Sequence, residues 1–303
     1  MMDHEQKELT VTIVVTCASL SLVGALFTLT CFALIPKLRR VFSFRLVFFI
    51  TLNDITSSIF YLMNPVTIFK PEGGYECQTQ AFALGYFDIS SMMWTAAAAC
   101  TMHIAVESAL NLRSAPLNNR LICIYFCFCQ IGPILPSVMP FFFNAYGHSG
   151  IWCWVKSGDG ESLEIIRMFA YYIWAWLVTF YLLFVYWKVF STLSTVADDR
   201  NFEGLRKVWE ILRLYPSALI FILLFGTVNR IYQAFGTSPF YLMMMEASTE
   251  TLLGFLDMLI FANNPMVRRE VRGLMGSVFG RLSLKEDLFQ PLDQKGLITD
   301  QER

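Results

Sequence analysis

Residues 9–36 read LTVTIVVTCASLSLVGALFTLTCFALIP, 28 positions without a single Asp, Glu, Lys or Arg. About 20 apolar residues cross a bilayer as a helix, so this run is long enough to span one. The same signature recurs further along: no charge falls within 121–155 or within 168–187. Composition agrees. The 303-residue chain is 55% hydrophobic and 16% charged, whereas a soluble domain carries about a quarter charged residues. This is a polytopic membrane protein, and a secreted disulfide scaffold, a collagen-like chain and a disordered chain are excluded. The net charge of −1 gives no argument for nucleic-acid binding.

Seven segments fit between the charge clusters: 9–35, 46–69, 77–110, 121–143, 165–190, 208–235 and 240–264. No run of short alternating strands could close a barrel, and lipid leaves the helix as the other way to satisfy the backbone. The expected fold is an all-α seven-transmembrane helix bundle. Lys and Arg set its direction. One side collects Lys37, Arg39, Arg40 and Arg45, then Arg113 and Arg120, then Lys188, Arg200, Arg206, Lys207 and Arg213, then Arg268, Arg269 and Arg272. The other side holds Lys7, Lys70, Lys156 and Arg167. The first side is therefore cytoplasmic. That makes 1–8 an extracellular N-terminus, 9–265 the membrane domain and 266–303 a cytoplasmic segment. The first apolar run exceeds a 7–15-residue signal core, so it reads as an uncleaved helix. After Pro265, the positions Val267, Val271, Leu274, Val278, Phe279 and Leu282 recur at helical spacing opposite arginines. They predict an amphipathic helix lying on anionic lipid.

Six of the eight cysteines (Cys17, Cys31, Cys100, Cys123, Cys127, Cys129) fall inside spans, where a free thiol packs as a small apolar group. Cys77 and Cys153 both fall on the outer side. An oxidising exterior favours a bridge between them, tying the loop 144–164 to the mouth of the bundle.

Several short motifs then combine. Phe42-Ser43-Phe44-Arg45-Leu46-Val47-Phe48-Phe49 with Leu52-Asn53-Asp54, Trp94-Thr95, Trp152-Cys153-Trp154, and Phe225-Gly226-Thr227-Val228-Asn229-Arg230-Ile231 stand in this order. Together they resemble the slime-mould cyclic-AMP receptor family and its plant G-protein-coupled-receptor-like relatives, over roughly 19–272. The resemblance implies a plasma-membrane receptor with an extracellular ligand, a cyclic nucleotide among the options, and a heterotrimeric G protein as cytoplasmic partner. Arg39, Arg40, Arg113, Arg206, Lys207, Arg268 and Arg269 are the expected G-protein-facing residues. Two departures from rhodopsin-like receptors stand out: the third span ends Glu107-Ser108-Ala109, and no Tyr follows Asn264-Pro265.

Ionisable groups inside spans are costly and turn toward the bundle interior. At 1.5 Å per residue, Arg230 and Glu246 lie at one depth, roughly 8 Å below the outer boundary. Glu250 shares a face with Glu246, and Asp257 continues that acidic stripe. Arg230 is expected either to pair with Glu246 or Glu250 or to meet an anionic ligand, with Lys156 and Arg167 as further cations near the mouth. Asp88 is a mid-membrane ligand or packing candidate. Asp54 and Asp257 fall at one depth in the inner half with Asn53 nearby, a setting for a shared proton or a bound ion. His103 and Glu107 stand four apart and form a structural pair. Trp94, Tyr171, Tyr172, Trp174 and Trp176 read mainly as packing or lipid-facing aromatics, with a share of them in a ligand pocket.

Three other functions fit the sequence less well. A retinal protein needs a lysine in the seventh span, and none occurs across 208–284. A proton- or ion-conducting transporter would use the intramembrane acids, but no repeat of the two halves is visible. No metal-ligand set, nucleophile–base motif or phosphate loop is present, so neither enzyme activity nor a metal or other cofactor is expected.

Overall fold

The computed structural model describes residues 4–69, 74–111, 115–156, 161–195, 214–236, 238–274 and 276. Five spans are long and apolar enough to cross a bilayer: His4–Leu34, Phe42–Thr67, Tyr75–Leu110, Asn119–Phe142 and Ser162–Thr192. The sixth is Leu214–Phe235, and the seventh is Phe240–Thr251 followed by Leu253–Asn263. Within them, Ser217–Gln233 and Leu253–Asn263 are shorter apolar helices. Small and aromatic residues close the core. Trp94 is fully buried and stacks on Phe49 at 4.3 Å between the second and third spans.

The fourth span is less regular than its hydrophobic run predicts. It passes through a π-helical turn at Cys127–Ile131 before resuming at Ile134–Phe142. Pro133 has no N–H to give the carbonyl four residues earlier. That carbonyl, on Cys129, instead accepts from the Ser90 hydroxyl of the third span at 2.7 Å. Tyr86 likewise donates to the Gln130 carbonyl at 2.8 Å. In lipid such a gap in the ladder persists because a neighbouring helix fills it.

The seventh span, a single continuous segment over 240–264 in the sequence reading, is also broken, into Phe240–Thr251 and Leu253–Asn263. Thr251 and Phe255 would normally close an i→i+4 hydrogen bond. The Ser21 hydroxyl of the first span stands between them, donating to the Thr251 carbonyl at 2.6 Å and accepting from the Phe255 N–H at 3.1 Å. A side chain inserted into the ladder is a recognised cause of a helix break. Gly254 lets the helices approach: a Cβ there would come within 3.2 Å of the Asp54 Cβ and 3.4 Å of the Ser21 Cβ.

Outside the helices, β1 (Tyr146–His148) and β2 (Cys153–Val155) form an antiparallel hairpin with Tyr146 opposite Val155. Gly150 supplies the φ of 105° that its turn needs. The described residues from Asn263 onward belong to a second unit. Within it Asn264 caps a new helix by accepting from the Met266 N–H at 3.0 Å, with Pro265 at a first-turn position that suits it. The expected amphipathic helix is seen as helix over 265–274, and its continuation through Val278, Phe279 and Leu282 lies outside the described residues.

Candidate functional site

The hairpin roofs one end of the bundle because it is tied down on several sides. Cys153 is bridged to Cys77 at the start of the third span. Gln80 accepts from the Cys153 N–H at 3.3 Å and from the Thr67 hydroxyl at 2.7 Å. Asn64 donates to the Ile151 carbonyl at 3.2 Å, and Tyr146 to the Ser137 carbonyl at 2.7 Å. Arg167 is buried and donates to Glu164 and to the Lys156 carbonyl, both at 2.6 Å. Its charge thus holds the loop's return strand to the fifth span, and neither Arg167 nor Lys156 lines the space beneath.

Under the roof lies a tight chamber of about 30 Å³, room for a water molecule or two. Its walls include Trp152 and Trp154 of the hairpin, Tyr61, Asp88, Tyr171, Tyr172, Arg230, Glu246 and Glu250. Arg230 is its cation, and every part of the guanidinium is engaged. It donates to the Tyr172 hydroxyl and to Gln233, reaches Glu246 at 3.5 Å, and sits over the Trp154 and Tyr172 rings at 5.6 and 5.0 Å. Glu246, 2% exposed, also accepts from Asn229. Of the two partners offered to Arg230 by sequence spacing, the structure selects Glu246. Glu250 lies beside Gly226, where a Cβ would come within 3.4 Å of its Oε1. The glycine of the Phe225–Ile231 motif therefore makes room for a carboxylate. Asp88 accepts from Ser57 at 2.5 Å and from Tyr61 at 2.9 Å.

Deeper in the bundle, Asp54 accepts from the Ser91 hydroxyl at 2.8 Å, with Asp257 of the seventh span as its acidic neighbour. Two neighbouring carboxyl groups in a low-dielectric interior repel strongly when both are ionised, and a proton or cation shared between them relieves that. Asn53 is buried beside them in sequence but donates to its own helix, at the Phe49 carbonyl, at 2.8 Å. Toward the end of the third span, Glu107 meets His103 at 3.4 Å and Lys188 at 2.9 Å.

Several expectations need correction. The acidic stripe of the seventh span is divided: Glu246 and Glu250 face the chamber, while Asp257 faces Asp54 across the break. Of the aromatics Trp94, Tyr171, Tyr172, Trp174 and Trp176, the chamber wall takes Tyr171 and Tyr172, a choice hidden by the apolar run around them. Cys123 and Cys127 are exposed on the flank of the fourth span, not packed inside it. Among the arginines assigned to a cytoplasmic surface, Arg39 turns back to the Phe32 and Ala33 carbonyls. Arg40 is exposed, Arg268 binds Asn263, and Arg269 reaches Glu270 at 3.7 Å. Arg113, Arg206, Lys207 and Lys70 lie outside the described residues.

A seven-helix membrane bundle with a disulfide-tethered hairpin over a polar chamber is a G-protein-coupled-receptor-like fold. Squid rhodopsin shares the fold, with a TM-score of 0.67 at 16% identity over 92% of this chain and 87% of that one. The family described as slime mold cyclic AMP receptor matches residues 1–297, and the chain belongs to it. It is 28% identical to G-protein coupled receptor 1 of Arabidopsis thaliana over 84% of this chain and 78% of that protein. It is 26% identical to cyclic AMP receptor-like protein A of Dictyostelium discoideum over 86% of this chain and 66% of that one. Cyclic AMP receptor 2 of the same organism is 21% identical, and this chain spans 60% of its length.

Proposed function

We propose that this protein is a plasma-membrane receptor that carries an extracellular signal to a heterotrimeric G protein, with its N-terminus outside and its C-terminus in the cytosol. The observation that carries the reading is the linkage at Arg230. One guanidinium joins the fifth span (Tyr172), the sixth (Gln233) and the seventh (Glu246) directly beneath the roof. A ligand that competes for Arg230 releases Glu246 and so shifts the balance between two arrangements of these helices. The names of the slime-mould relatives point to a cyclic nucleotide. Against a chamber with Asp88, Glu246 and Glu250, its phosphate reaches Arg230 only by displacing Glu246, and the chamber has to widen to admit it. The orientation follows from the Lys- and Arg-rich connections, and the basic inner surface is the proposed G-protein footprint. The test is guanine-nucleotide exchange on purified heterotrimer with the reconstituted protein, with and without cyclic nucleotides. Exchange supports the reading, and its absence under every condition overturns the G-protein step.

A second reading, proton or ion conduction, is favoured by one observation: the buried acids Asp54 and Asp257 neighbour each other in a bundle interior that also holds Asp88 and Glu250. Flux into proteoliposomes separates the two readings, since a receptor leaves the internal ion composition unchanged.

A further inference from the structure

We propose a second binding site, on the flank of the bundle, that takes the phosphate headgroup and an acyl chain of an anionic phospholipid. A groove of about 550 Å³ opens between the first, second and fourth spans. Leu29, Phe32, Phe48, Phe49 and Ile122 make its walls apolar, and Arg39, Arg45 and Asn119 stand with them. The size is that of a site for a small organic molecule, and the lining is that of a hydrocarbon slot with a polar head.

The two arginines are held but not neutralised. Arg39 donates through Nε to the Phe32 carbonyl at 2.9 Å and through Nη2 to the Ala33 carbonyl at 2.6 Å. Arg45 donates through Nε to the Arg39 carbonyl at 2.8 Å and through Nη1 to Asn119 Oδ1 at 2.8 Å. Every acceptor is neutral, and among the described residues neither guanidinium is ion-paired with a carboxylate. Each fork is therefore fixed in direction, retains its full charge and keeps an unused terminal nitrogen. Guanidinium is the side chain best matched to a phosphate. Two such cations at the head of an apolar slot fit a molecule that is anionic at one end and hydrocarbon at the other.

A free phosphate has no use for the walls, and a purely apolar lipid has none for the arginines. In the orientation proposed above, the arginines stand at the inner leaflet, whose anionic lipids attract basic residues. That placement rests on the proposed topology, whereas the binding itself does not.

The experiment is native mass spectrometry of the purified full-length chain in detergent, offered phosphatidylinositol bisphosphate and phosphatidylcholine in equal amounts. The phosphoinositide is expected to be retained preferentially. The double variant R39Q/R45Q is expected to reduce that retention about tenfold to thirtyfold, with phosphatidylcholine adducts unchanged. Ala33→Trp, which fills the slot and leaves both arginines, is expected to lower it as well. Because Arg39 and Arg45 also cap backbone carbonyls, thermal unfolding of each variant is measured alongside. If the glutamine pair does not fold, R39K/R45K, which keeps the charge and loses the forks, and Ala33→Trp decide. Equal retention of the two lipids by the unaltered protein overturns the proposal. So does undiminished phosphoinositide retention in Ala33→Trp, or equally tight binding of the acyl-free inositol trisphosphate. A reversed topology would change which leaflet supplies the lipid but not this measurement, so the two readings fail separately.

Discussion

Arg230 and Glu246 show at the scale of one residue why a buried charge is tied to its surroundings. Removing one member of such a pair leaves the other uncompensated in a poor dielectric, which typically costs about 3–5 kcal/mol. Arg230→Ala is therefore expected to lower the thermal stability of the detergent-solubilised protein by about 3 kcal/mol or more. R230Q/E246Q, which removes both charges, should recover a large part of that loss, as a double-mutant cycle of thermal unfolding will show. If the pair is also the switch, the double variant gives ligand-independent nucleotide exchange. Asp257 permits a sharper comparison. Asp257→Asn keeps a hydrogen-bonding neighbour for Asp54 without the carboxyl–carboxyl conflict, and is expected to unfold within about 1 kcal/mol of the parent. Asp257→Ala opens a gap beside Asp54 and is expected to cost more in the same assay.

At the scale of the element, the break in the seventh span and the tether of the hairpin are the features to test. Gly254→Val brings a branched side chain against the Asp54 and Ser21 Cβ atoms, both within 3.4 Å of an added Cβ. Overpacking of this kind costs about 1–3 kcal/mol, measurable as a lower unfolding temperature. Ser21→Ala removes the inserted hydroxyl and lets the Thr251 carbonyl meet the Phe255 N–H. The expected result is a straighter seventh helix, read as a changed spin-label distance between its two ends. The Cys77–Cys153 bridge closes a separation of 76 residues. Replacing both cysteines with serine is expected to cost about 2–4 kcal/mol, and a reductant should destabilise the parent protein but not the variant.

For the whole molecule, the proposed topology makes one demand that no local contact imposes. A tag after Met1 must be accessible from outside intact cells, and a tag following Arg303 only after permeabilisation. The opposite result would invert the functional assignment of every loop, leaving the fold intact. The deep acids act at this scale too, because receptor and conductor differ in whether matter crosses. An unchanged internal pH after acidification of proteoliposomes is the expected outcome.

Much of this architecture was legible in the chain itself. Apolar segments between charge clusters indicated the number of spans, and two cysteines set apart from those inside the spans indicated the bridge. Spacing at 1.5 Å per residue brought Arg230 level with Glu246, and Asp54 level with Asp257. These properties depend on composition and on one-dimensional periodicity, which lipid enforces strictly by leaving the backbone no partner but itself. Whatever depended on rotation about a helix axis was settled by packing alone. Tyr172 faces Arg230 although its sequence neighbours are uniformly apolar, Ser21 enters a helix 230 positions away, and Ser90 satisfies the carbonyl that Pro133 leaves open. A hydrophobic run says that a helix crosses the membrane, but in a solvent as apolar as the core it does not say which side faces in. That choice falls to the few polar atoms that have to find one another.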